Sequence, residues 1–185
     1  MEENILTGIL NLRIIWIVFA LIVASCIAVI AWLFIRNVKK GNSKANIYNA
    51  ITLICIPVVV ASWLLNFGWY RVLLTIIPLP ILHIVAFVVI NFAVSHKILL
   101  SDKLRRYVIC SYITFLLTYF ALPDGGDVGP AYVFFGLIRH DAVLTPGLWI
   151  SLVCLAASVI FLVFEIVESI LVGKREKNID WVQNL

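Results

Sequence analysis

GLWISLVCLAASVIFLVFEIVESILV, residues 147–172, decides the class of this chain. Its charged residues are Glu165 and Glu168, both close to its C-terminal end. A helix needs about 20 consecutive apolar residues to cross the hydrocarbon of a bilayer, and this stretch supplies them. Working backward, four more greasy stretches follow the same pattern: Ile14–Arg36, Tyr48–Phe67, Val72–Ser95 and Tyr107–Leu122. The 185 residues are 63% hydrophobic and only 13% charged, with a mean hydropathy of +1.09. A soluble domain of this size carries far more charge. The expectation is an all-α integral membrane protein, one polytopic domain over 1–185, folded as a compact bundle of about five transmembrane helices.

The connecting segments orient the bundle. Arg36, Lys39, Lys40 and Lys44 follow the first stretch. Lys97, Lys103, Arg105 and Arg106 follow the third, and Lys174, Arg175 and Lys177 follow the fifth. The alternate connections hold Glu2, Glu3, Arg13, Arg71, Asp124, Asp127, Arg139 and Asp141, with no basic cluster. Cytoplasmic loops are enriched in Lys and Arg. The expected localisation is therefore the cell inner membrane, with the N-terminus outside and the tail 173–185 in the cytoplasm. The net charge of +4 sits at membrane edges, which reads as topogenic and gives no direct nucleic-acid partner. Val23-Ala24-Ser25-Cys26 resembles a lipoprotein cleavage box, but Ile27–Ile35 continues the apolar run, so the first stretch reads as a retained span.

Pro57, Pro78 and Pro80 interrupt the second and third stretches and predict kinks, because proline lacks the helix donor and clashes with the preceding turn. Asn66–Arg71 reads as the turn of a helical hairpin. Ala20, Ala24 and Ala28 recur at four-residue spacing, a small-residue face suited to close helix packing within or between protomers, and a homo-oligomer is expected. Cys26, Cys55, Cys110 and Cys154 are scattered through the apolar stretches with no paired or metal-ligand spacing, so they read as packing residues. No cofactor or metal is called for.

Two groups of residues are candidate functional sites. His83, Asn91, Glu165 and Glu168 form an intramembrane polar set, with Asn91 and the two glutamates at similar depth. Such groups are costly to bury and face the bundle interior. They serve either ion or proton handling or, as the plainer alternative, interhelical hydrogen bonding. The second group lies in the outer loop 123–146, which opens PDGGDVGP and continues as the apolar run Ala131–Ile138, too short to span. That run reads as interfacial or re-entrant, and Asp124, Asp127, Arg139, His140 and Asp141 are its candidate binding residues. The alternative is a lid over the outer mouth of the bundle. No nucleophile elbow, HExxH or phosphate loop occurs.

In size and layout the chain is similar to immunity proteins of membrane-active bacterial toxins, and to small polytopic subunits of anti-phage defence systems. The likeness is architectural and carries no residue across. It implies a non-enzymatic sensor or binding component. Such a protein would dock a cytoplasmic partner or anionic headgroups through the basic loops and the tail, which contains Trp181. A small ion or proton channel or transporter built on the intramembrane set is the alternative. A lipid-modifying enzyme using Asp124 and Asp127 is the third reading.

Overall fold

The computed structural model describes residues 35, 43–65, 71, 74, 77, 79–124 and 130–183. The first apolar stretch, with Ala20, Ala24, Ala28 and Cys26, lies outside the described residues, as does Asp127. The architecture is all-α. Helix α1 spans Ser43–Leu65, α2 Leu79–Val94, α3 Asp102–Phe120 and α4 Leu144–Gln183. A 3-10 turn, Ser95–Leu100, continues α2. Between α3 and α4 lies a small antiparallel hairpin of β1 (Tyr132–Val133) and β2 (Ile138–Arg139), followed by a 3-10 turn over Asp141–Val143.

Among the described residues, three helical stretches are long and apolar enough to cross a membrane: Ala45–Trp63, Leu79–Leu100 and Asp141–Glu176. Helix α3 is 19 residues long but opens with Asp102, Lys103, Arg105 and Arg106, so its apolar part begins only at Tyr107. Pro78 lies outside the described residues, unlike Pro80. Pro80 occupies the first turn of α2, where its missing N–H costs nothing. Pro57 lies inside α1. The stretch after Val172 continues α4, which runs for a total of 40 residues to Gln183. Hydropathy ends at the basic residues, but Lys, Arg and Glu are good helix formers.

The helices alternate in direction. Ser62, near the end of α1, donates to the Tyr119 carbonyl at the end of α3 (3.2 Å). Tyr119 Oη donates to the carbonyl of Pro80 at the start of α2 (3.1 Å). Ser101, the N-cap of α3, donates to Glu168 near the far end of α4 (2.9 Å). Thus α1 and α3 run one way, α2 and α4 the other. One end of the bundle carries the hairpin. The other carries Lys97, Lys103, Arg105, Arg106, Lys174 and Arg175. The basic end is tied by Lys97 Nζ donating to the Ser169 carbonyl (2.9 Å).

Helix α3 packs along α4 more extensively than any other described pair. At the hairpin end that approach requires Gly147. A Cβ there would lie 2.8 Å from the Ala121 carbonyl oxygen. The centre of the core is aromatic. The Phe87 and Phe115 rings are stacked, with centroids 3.7 Å apart, and Tyr112 meets Phe87 edge-on.

Candidate functional site

The polar side chains are sorted into layers along the bundle. At the hairpin end, Arg71 is wholly buried. Its Nη1 donates to the Ser62 carbonyl (3.0 Å), and its Nη2 donates to the carbonyls of Tyr119 (3.1 Å) and Leu122 (3.0 Å). The last carbonyls of a helix have no intrahelical donor and carry partial negative charge. Arg71 therefore closes the ends of α1 and α3 together. Its charge is matched by Asp124, also fully buried, whose Oδ2 lies 3.7 Å from Nε and accepts from the Arg71 backbone N–H (3.3 Å). Burial lowers the guanidinium to about 10 while Asp124 pulls it back up, so Arg71 stays charged at neutral pH. The backbone of Asp124 exchanges hydrogen bonds with that of Tyr132 and so anchors the hairpin. Asp124 is thus held in the wall of the bundle, away from Arg139, His140 and Asp141, which are exposed.

These three residues shape the hairpin itself. Arg139 Nε donates to the Gly136 carbonyl (3.0 Å), His140 Nδ1 accepts from Ala142 N–H (3.0 Å), and Asp141 Oδ1 accepts from Ala131 N–H (3.2 Å). The turn places Phe134, Phe135 and Gly136 in the left-handed region, at φ 51°, 60° and 75°. Two non-glycine residues there are uncommon. Both phenyl rings rest on Phe120, which fixes the turn against α3. Beside it lies a cleft of about 310 Å³ lined by apolar groups, with His140 at its edge.

One level deeper, His83 is buried and bonded on both sides. Its Nδ1 lies 3.1 Å from Tyr119 Oη and its Nε2 2.9 Å from Ser158 Oγ. Tyr119 gives its own proton to Pro80, so Nδ1 donates and Nε2 accepts from Ser158. This single imidazole fixes α2, α3 and α4 in register.

Below it the Phe87–Phe115 stack fills the centre. Beyond the stack lies a second polar layer. From His83, Asn91 is eight residues along α2. From Ser158, Glu165 is seven along α4, and from Tyr119, Tyr112 is seven back along α3. At about 1.5 Å per residue, all three sit about 10–12 Å below the imidazole. Glu165 is completely buried beside the Ser111 hydroxyl, yet neither carboxylate oxygen has a hydrogen-bond partner. Ser111 is turned to the Val108 carbonyl (2.9 Å). Asn91 donates one amide N–H to the Phe87 carbonyl (2.9 Å) and leaves Oδ1 buried and unpartnered. Tyr112 Oη pairs with Thr52 Oγ1 (2.7 Å), which brings α1 to the layer, and Asn49 on α1 has neither amide atom satisfied.

Glu168, one turn further toward the basic end, differs in kind. Besides the Ser101 hydroxyl it has Arg175 Nη1 at 3.7 Å. It also lies at the N-terminus of α3, where the helix dipole favours a carboxylate.

The structure therefore divides the set His83, Asn91, Glu165 and Glu168. His83 is satisfied in one layer, Asn91 and Glu165 share another, and Glu168 closes the basic end. Arg71, Ser111, Ser158, Tyr112 and Tyr119 belong to these layers but carry no motif. Apart from Arg71, which sits in a short connection, their only signal in sequence is a polar residue recurring on the buried face of a helix. Among the described residues no three His, Cys, Asp or Glu side chains form a group suited to a metal. No protein-family model matches the chain, and no curated protein or solved structure is significantly similar to it.

Proposed function

We propose that the chain is a multi-pass integral membrane protein of the sensor or binding class, non-enzymatic and closed between its two ends. The observation that carries this reading is an inverted distribution of polarity. Large apolar side chains such as Ile113, Ile150, Val153, Val163, Val167 and Ile170 face outward along α3 and α4. Asn49, Thr52, Ser62, Asn91, Ser158 and Glu165 are buried. In water this arrangement loses the hydrophobic driving force, whereas in lipid it satisfies every outward-facing side chain.

Closure is supported by the Phe87–Phe115 stack, which lies between the His83 layer and the Glu165 layer. The basic end, placed in the cytoplasm by the enrichment of Lys and Arg in cytoplasmic loops, would meet a soluble protein partner or anionic headgroups. The hairpin end would face the exterior, with Arg139, His140 and Asp141 as its accessible polar groups. In this reading the resemblance to toxin-immunity and phage-defence subunits suggests the biological setting. A homo-oligomer in the bacterial inner membrane fits the same architecture.

The second reading, a small transporter, is favoured by one observation, the unpartnered carboxylate of Glu165. Reporter fusions within 130–140 and after residue 176, with flux assays in liposomes, test both. The sensor reading expects the two reporters on opposite sides of the membrane and flux at background. Extraction of the chain by alkaline carbonate would overturn it. Flux that is lost in Glu165→Gln would replace it with the transporter.

A further inference from the structure

We propose that the layer formed by Glu165, Asn91 and Ser111 is a binding site for a small monovalent metal cation of the sodium type, reached from the basic end. The inference rests on the membrane reading above and names what such a sensor would bind. Glu165 sits at 0% exposure and Asn91 at 1%. Buried polar atoms in native proteins almost always have partners, and an orphaned group points to an unplaced water or ion. In Glu165 and Asn91 the orphaned atoms are all oxygens. Asn91 donates one of its two amide N–H groups to the Phe87 carbonyl, and Ser111 donates its hydroxyl proton to the Val108 carbonyl. What remains includes the lone pairs of the amide oxygen, the hydroxyl oxygen and both carboxylate oxygens. This oxygen-rich set, in which acceptors outnumber the donors left on the Asn91 and Asn49 amides, suits a hard cation. Asn49, unpaired at both amide atoms on α1, can add an oxygen or hold a bridging water.

Charge selects the valence. Glu165 is the one carboxylate in the layer. Glu168 already has Ser101 and Arg175. A single positive charge neutralises the site, whereas a divalent ion would leave a buried excess, which is costly. Access is one-sided. The aromatic stack shuts the layer from the hairpin end, and one turn toward the basic end the groups are again polar: Asn46 on α1, Ser95 after α2 and Glu168 on α4.

The test uses the purified full-length chain in detergent, with thermal unfolding followed in sodium chloride against choline chloride at equal ionic strength and pH. Wild type should show a saturable rise in midpoint of roughly 5–10 °C at a hundredfold excess over half-saturation. Glu165→Gln, and independently Asn91→Leu, should lose it. Ser158→Ala, in the other layer, should keep it. Identical wild-type midpoints in sodium and choline would overturn the proposal and leave a proton or water as the occupant. An undiminished sodium response in a folded Glu165→Gln or Asn91→Leu protein would also overturn it. Neither result bears on the reporter fusions, so failure of the site and failure of the membrane reading are told apart.

Discussion

Arg71 and Asp124 face each other at 3.7 Å with no part of either side chain exposed. Residues 53 positions apart thereby join the end of α1, the end of α3 and the first residue bridged to the hairpin. Breaking a buried pair on one side strands the other charge, at about 3–5 kcal/mol. Arg71→Leu should lose stability on that scale in detergent unfolding, with Asp124→Asn somewhat milder. The double variant should recover only part of the loss, because the carbonyls of Ser62, Tyr119 and Leu122 remain uncapped. Full recovery would show that Arg71 acts through its charge alone.

Gly147→Ala should destabilise by about 1–3 kcal/mol, the usual cost of overpacking. The new Cβ would meet the backbone oxygen of Ala121 at 2.8 Å, and a carbonyl at a helix end cannot step aside. Gly173→Ala is the control. Its Cβ would meet Lys97 Nζ at 2.9 Å, the far end of a flexible side chain. Its unfolding midpoint should stay close to wild type.

His83 couples to two hydroxyls. A double-mutant cycle of His83→Leu with Ser158→Ala should return a coupling of about 0.6–1.7 kcal/mol, the range measured for interhelical hydrogen bonds in membrane proteins. A cycle of Ser158→Ala with Ser101→Ala, in different layers, should be additive.

Ser101→Ala removes both the N-cap acceptor for Leu104 N–H and the donor to Glu168. A cap alone is worth about 1 kcal/mol. The loss should exceed that and should shrink in a Glu168→Gln background. Equal losses in the two backgrounds would show that the bond to Glu168 contributes nothing.

The apolar stretches were legible because length and composition alone set a helix that must hide its backbone. Among the described residues, Lys97, Lys103, Arg105, Arg106, Lys174 and Arg175 gather at one end of the bundle. Glu165 stood out because a carboxylate in such a stretch has few explanations. Arg71 did not, since a lone arginine in a short connection looks like any surface charge, and only the converging helix ends make it a cap. Asp124 was legible as unusual but not as internal. The hairpin carries no Asn-Gly or Asp-Gly signal at its turn. It is held there by Phe134 and Phe135 resting on Phe120, a tertiary effect. The continuation of α4 past Val172 was missed because hydropathy reports where lipid contact ends, not where the helix does.

At about 1.5 Å per residue the 40 residues of α4 extend about 60 Å, twice the thickness of the bilayer hydrocarbon. The helix that buries Glu165 against α3 is therefore also a rod, continuous from the hairpin end to beyond the basic residues Lys174 and Arg175. A push or twist applied to that rod by anything grasping it is delivered without a joint to the carboxylate, and a rearrangement around the carboxylate is broadcast outward along the same rod.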